Sequence, residues 1–310
     1  MTDATSPEPA LERSLRAGAF VLTAEVVPPA SCDPDDLLAK ALPLRGLADA
    51  VNVTDGAGAR AHMGASAAAA ILAHEGIEPI QQFTCRDRNR IALQGDLLAA
   101  AALGVRNLLL LRGDDPTAGD QPDAKPVFDL DTVGLLRTAG GLRDRGELPS
   151  GRTLDRRPAF FLGVADVPID PPDDWAPHAL AAKAAAGAQF VQTQFCMDAG
   201  IVRRYLRRLD EHGLVPRLAI LIGVVPLKSA RAARWMRKHL PGTIIPDATI
   251  ARLERAADPA AEGRRACVEL MQELAEIPGV AGAHVMAPAN PEAIPQVLAE
   301  AANIGRRRER

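Results

Sequence analysis

The chain is short of aromatic residues: Phe, Trp and Tyr together make up 3% of its 310 residues. Without rings on which bases can stack, single-stranded nucleic acid is not an expected partner, and a formal net charge of -3 gives no overall basic field for polyanions. Cysteine is also scarce. Cys32, Cys85, Cys196 and Cys267 are scattered with no Cys-x-x-Cys pair, a pattern that fits reduced thiols rather than a disulfide frame or a metal knuckle. The histidines His62, His74, His178, His212, His239 and His284 lack a His-x-x-x-His spacing, so no metal site is expected. No apolar run approaches the roughly 20 residues that a membrane helix needs, and the polar start of the chain carries no targeting pattern. A cytoplasmic protein is expected.

What the chain has is alternation. Short apolar runs of β type alternate with Ala- and Leu-rich helical stretches, as in repeated β-α units around a parallel sheet. Eight runs read as strands: Phe20–Val27, Ala50–Thr54, Pro79–Cys85, Asn107–Arg112, Ala159–Ala165, Phe190–Phe195, Leu218–Val225 and Gly282–Met286. Eight stretches read as helices: Asp35–Leu42, Met63–His74, Asn89–Leu103, Asp131–Asp144, Pro177–Ala186, Ala199–His212, Ala230–His239 and Glu262–Glu276. Gly76, Gly104, Gly187, Gly213 and Gly279 sit just past helical stretches, where a left-handed residue closes the last turn. Eight units predict an α/β protein with one closed (β/α)8 TIM barrel over residues 18–304, preceded by a flexible segment 1–17 and followed by a basic tail 305–310. A doubly wound open sheet is the competing fold, but no Gly-rich phosphate turn follows the first strand.

In such a barrel the site is built where the chain leaves the C-terminal strand ends. Read this way, the mouth collects Glu25, Thr54, Asp55, Thr84, Arg86, Arg112, Asp114, Asp115, Gln194 and Lys228. The long loops at Gly113–Lys125 and Asp166–Asp174 are candidate walls of the site. Glu25 stands among apolar neighbours, and low polarity disfavours the charged form of a carboxyl, so it reads as a general acid. It reads equally well as half of a salt bridge to Arg86 or Arg112. The turn Arg112-Gly113-Asp114-Asp115 could wrap a flat polar ring with Asp114 facing developing positive charge, or could be a plain β-turn. Thr54 and Gln194 offer neutral groups suited to an amide-bearing heterocycle, or to capping strand ends. Cys85 and Cys196 end strands, yet no histidine lies in sequence reach to activate them.

Five strings occur in order at the strand ends: Glu25-Val26-Val27-Pro28-Pro29, Val51-Asn52-Val53-Thr54, Phe83-Thr84-Cys85, Leu111-Arg112-Gly113-Asp114 and Thr193-Gln194-Phe195. With them the chain resembles methylenetetrahydrofolate reductases over roughly residues 18–300. The strings Gln82 to Arg90 and Pro226-Leu227-Lys228-Ser229 resemble the acetogen and methylotroph branch. The resemblance implies a flavoprotein, with FAD or FMN across the strand ends, that uses NAD(P)H to reduce 5,10-methylenetetrahydrofolate to 5-methyltetrahydrofolate. The reverse oxidation in methyl-group catabolism is also implied.

By the same resemblance Glu25 is the acid that opens the folate imidazolidine ring, and Asp114 stabilises the resulting cation. Gln194 contacts the pterin, and Thr54, Gln82, Leu111, Arg112, Gly113, Asp114, Ala165 and Lys183 are flavin positions. Gln82 stands where many relatives carry histidine, and Ala165 where many carry tyrosine. Ala232 and Met236 replace a glutamine and a phenylalanine that hold folate, which makes Lys228 a candidate for the folate tail or a flavin phosphate. The resemblance also implies folate and a nicotinamide nucleotide as partners, a homo-oligomer, and in the acetogen branch an iron-sulfur partner subunit. The competing classes are a flavin-free pterin-binding methyltransferase barrel and a barrel that works chiefly by docking that partner.

Overall fold

The computed structural model describes residues 8–304. Eight strands, β1 (Val21–Val26), β2 (Ala50–Val53), β3 (Pro79–Thr84), β4 (Asn107–Leu111), β5 (Phe161–Asp166), β6 (Phe190–Phe195), β7 (Ala219–Val224) and β8 (Val280–Val285), pair in parallel with their chain neighbours. The pairing of β8 with β1 closes the barrel, as the eight-unit alternation predicts. The surrounding helices are α1 (Ala10–Arg16), α2 (Pro34–Ala41), α3 (Ala65–His74), α4 (Arg90–Ala102), α5 (Thr132–Arg145), α6 (His178–Ala185), α7 (Ala199–Glu211), α8 (Ala230–His239), α9 (Asp247–Arg255), α10 (Pro259–Ala275) and α11 (Ile294–Ala301). Capping sets several of their starts: Asn89 accepts from the amides of Ile91 and Ala92, Asp131 from Gly134, Asp198 from Ile201 and Ser229 from Ala232. The five stop glycines have φ between +66° and +111°.

Three helices depart from the sequence expectation. α9 and α11 were not expected, and α1 lies inside the segment 1–17 that the sequence reads as flexible. Residues 1–7 and the basic tail 305–310 lie outside the described residues. α1 is ordered because it completes the barrel. Glu78, just before β3, accepts from the amides of Ala10 and Leu11 at 2.8 and 2.9 Å, which satisfies donors that a helix start leaves free and places a negative charge at its positive end. Asn107 steadies the same carboxylate at 2.8 Å.

Strand residues two apart share a face, and this parity divides the barrel interior into layers. At the N-terminal end Val21, Ala50, Ile80, Leu109, Phe161, Phe190 and Leu221 form an apolar cluster, and Leu11 of α1 packs into it with no exposed surface. The rings of Phe161 and Phe190 stack at 4.9 Å. Gly163 makes room for them, since a β-carbon there would stand 2.2 Å from the Phe190 ring. A second, larger cluster fills the space between the strands and the helical shell. Two residues further along the strands the interior turns polar: Thr23, Asn52, Gln82, Gln192 and His284 are all buried.

If α1 closes the barrel floor, Leu11→Ala opens a cavity beneath the apolar layer. It should lower stability by about 2–5 kcal/mol, measured by urea unfolding; a loss below about 0.5 kcal/mol would mean that α1 contributes little.

Candidate active site

Glu25 follows Thr23 by one strand repeat on β1 and stands half-buried above the polar layer. Its Oε2 accepts from Gln82 Nε2 at 3.2 Å and lies 3.9 Å from His284 Nε2. The salt bridge to Arg86 or Arg112 that the sequence left open is not formed. Arg86 is buried and bound twice to Asp87, at 2.8 and 2.7 Å, with a third bond to the Gly56 carbonyl. Arg112 is exposed and lies 4.3 Å over the Phe128 ring.

The loops after β2, β3 and β4 are tied together. Asp55 accepts from the Thr84 amide and hydroxyl at 2.8 and 3.0 Å and from Arg88. Asp114, exposed on the turn after β4, accepts from the Gly58 amide at 2.9 Å. Gly113 holds φ +92° at this turn. Asp115 has a local role: its carboxyl accepts from Thr117 and is held below the usual carboxylate range by that hydroxyl and amide. Leu111 and Arg112 both offer their carbonyls to the Cys85 amide. A pocket of about 250 Å³ opens among these loops, lined by Asp55, Gly56, His62, Arg86, Pro116 and Gln121 among others. Thr54 is buried at its edge, 3.4 Å from His62.

Across the mouth the contacts are fewer. Lys183 donates to the Ala165 carbonyl at 2.6 Å. Gln194 donates to the Pro241 carbonyl at 3.3 Å and accepts from the Phe195 amide. Lys228 is exposed and pairs with Glu292 at 3.5 Å. Gln82 and Glu25 are therefore in direct contact, whereas Lys228 belongs to the loop after β7 and is held from the start of the segment leading into α11.

Two groups escaped the sequence reading. His284, weighed there only as a metal ligand and set aside, is 2% exposed and lies near Glu25. Its signal was parity, because polar Thr23, Asn52, Gln192 and His284 lie on the inward face of otherwise apolar strands. Asp166 was placed in a loop, but it ends β5 and takes a hydrogen bond from the fully buried Tyr205. Burial pushes the Asp166 carboxyl up, and the Tyr205 hydroxyl pulls it back down.

The thiols take no part in this arrangement. Cys85, Cys196 and Cys267 are buried, and burial raises them to about 11, 12 and 12; Cys32 is exposed. Among the described residues no group of three or more His, Cys, Asp or Glu is placed to hold a metal, and no helix is long and apolar enough to cross a membrane.

The chain is a closed (β/α)8 barrel, the fold in which sites are built above the C-terminal strand ends. The family model for methylenetetrahydrofolate reductase matches residues 10–302, and the chain belongs to that family. A Caenorhabditis elegans protein described as a probable methylenetetrahydrofolate reductase (NADPH) is 27% identical over 190 residues, which is 59% of this chain and 26% of that protein. The chain thus spans about a quarter of the length of the curated relative it matches. Among solved structures, a Clostridium thermocellum protein described as binding two copies of 5-methyl-5,6,7,8-tetrahydrofolic acid aligns with a TM-score of 0.67, at 13% identity, over 96% of this chain and 99% of that one. EDTA monooxygenase from Chelativorans sp. BNC1 aligns at 0.54, with 11% identity and 94% of each chain covered. At these identities the two structures speak to the fold.

The Asp166–Tyr205 pair generates a pH-dependent prediction. A carboxyl raised in the folded state favours folding below its unfolded value, near 3.9, and loses that contribution as pH rises through the folded value. Tyr205→Phe removes the donor and raises Asp166 further. The variant should lose about 1–3 kcal/mol at pH 8 and less at pH 4, read by urea unfolding at both. An equal loss at the two pH values would contradict the pairing.

Proposed function

We propose that this chain reduces 5,10-methylenetetrahydrofolate to 5-methyltetrahydrofolate, or runs the reverse reaction, with a bound flavin and a nicotinamide nucleotide. The observation that carries the reading is Glu25. It is a half-buried carboxyl at the C-terminal end of β1, contacted by a neutral amide and an imidazole rather than by an arginine or lysine. A carboxyl so placed can hold a proton and release it to a substrate nitrogen. Glu25 gives its proton to N10 of the folate as the bond from N10 to the bridging methylene breaks. The nitrogen keeps the bond pair, and a 5-iminium cation and a glutamate carboxylate remain. Asp114, on the turn after β4, supplies negative charge to that cation.

The donor set suits a flavin. Thr54 and Gln82 offer neutral hydrogen-bonding groups, the turn Leu111-Arg112-Gly113 offers backbone, and Arg112 and Lys183 offer charge to a phosphate. When bound, the flavin would carry hydride between the nicotinamide nucleotide and the folate. Ala165 leaves open a place where many relatives carry tyrosine. Gln194 is assigned to the pterin and Lys228 to the folate glutamate tail, for which it must exchange Glu292, an exposed partner of small worth. The protein acts as a homo-oligomer in the cytoplasm; docking of an iron-sulfur subunit is the competing reading.

Glu25→Gln should keep reduction of the flavin by NAD(P)H and slow reduction of the folate by about 10²–10⁴-fold, measured by stopped-flow absorbance of each half-reaction. Equal loss in both would overturn the assignment. Lys228→Ala should raise the KM for folate about ten-fold with kcat unchanged, as expected where binding common to ground and transition states is lost. An unchanged KM together with unchanged flavin occupancy would remove Lys228 from the site.

A further inference from the structure

The buried polar layer beneath Glu25 has a direction. Gln192 Nε2 donates to Asn52 Oδ1 at 2.9 Å and to Thr23 Oγ1 at 3.1 Å, while Asn52 Nδ2 returns a bond to Gln192 Oε1 at 2.6 Å. With an amide donating into its oxygen, the Thr23 hydroxyl is free to donate, and His284 Nδ1 lies 2.9 Å away. Gln192 Nε2 also approaches Nδ1, at 3.3 Å. Both hydrogens of that amide are given to Asn52 and Thr23, so the Thr23 hydroxyl, its own oxygen already accepting, is the donor to Nδ1, and Nδ1 accepts. In a neutral imidazole the ring proton then sits on Nε2, the nitrogen 3.9 Å from Glu25 Oε2. Gln82 Nε2 donates to that same oxygen. With Gln82 donating to Oε2 and His284 Nε2 3.9 Å from the same oxygen, a step beyond hydrogen-bond length, Oε1 is the oxygen left to carry a transferable proton.

We propose that His284 is a positioning residue for Glu25: fixed by Thr23 and Gln192 with its proton on Nε2, it turns that N–H toward Oε2 and so presents the acidic proton on Oε1 to the substrate. The inference rests on the reading of Glu25 as the acid. His284 itself touches neither substrate nor flavin in this account. Its contribution is to orient the carboxyl, and small misplacements of a catalytic group are expensive in rate.

The test has two parts. The first is ¹⁵N NMR of the full chain labelled at histidine, with the His284 resonances assigned by their loss in His284→Gln. The expected wild-type spectrum shows protonated Nε2 and bare Nδ1, and Thr23→Val should abolish that fixed tautomer. A proton on Nδ1 in the wild type overturns the proposal. The second part compares half-reactions. His284→Leu and Thr23→Val should slow folate reduction on the order of 10–100-fold more than flavin reduction, and His284→Gln, which still offers an N–H, should recover part of the loss. Equal slowing of both half-reactions overturns it, and Thr23→Val serves if His284→Leu does not fold. The tautomer is read without folate, flavin or turnover. Failure there leaves the role of Glu25 standing, whereas failure of the Glu25→Gln prediction leaves the tautomer standing.

Discussion

The pleat of a closed barrel turns every second strand residue inward, and here that constraint sends threonine, asparagine, glutamine and histidine to a place where water does not reach. A buried polar group without a partner costs about 1–3 kcal/mol, so these side chains have to satisfy one another. Asn52 and Gln192 do so as a reciprocal amide pair across the barrel from β2 to β6, and Thr23 and His284 complete the chain on β1 and β8. Glu25 sits at the end of this chain. The apolar layer below, closed by Leu11, keeps the network dry from the other side. Fold and candidate chemistry thus meet here: the barrel must close for the amides to pair, and the layer they form lies directly beneath the carboxyl that Gln82 contacts.

The mouth above is unevenly built. On the side of β2, β3 and β4 the loops are locked by Asp55, Arg86, Arg88 and Asp114, each bonded across to another loop or to its own strand end. On the side of β6, β7 and β8 the contacts are single and more exposed, as with Gln194 at Pro241 and Lys228 at Glu292. In the proposed reaction the locked side faces the flavin and the other side takes the folate. A cofactor gains from a pre-formed site, while a substrate that must enter and leave is served by contacts that exchange easily.

Much of the fold was legible in the sequence because parallel strands buried on both faces read as continuous apolar runs. All eight strands lie where those runs lie, and the helices that follow them lie where the Ala- and Leu-rich stretches do. α1 was not legible, because its order comes from Glu78, far away in the chain, and from a barrel floor that only tertiary structure creates. α9 and α11 are short, and each begins near a proline that reads as a break. Of the candidate site, the place of Glu25 near a strand end could be read directly, but its polar partners Gln82 and His284 could not. Arg86 reads as a salt-bridge partner until Asp87 and Gly56 are seen to claim it. His284 reads as a lone histidine until strand parity sets it beside Thr23.

The central claim is that this barrel passes hydride through a flavin to a folate, and the absorbance spectrum of the purified chain tests it most directly. After incubation with FAD or FMN and removal of the excess, the account predicts flavin bands that bleach on addition of NADH or NADPH and return when 5,10-methylenetetrahydrofolate is added. A protein that stays colourless, or bands that bleach and do not recover with the folate, would contradict it.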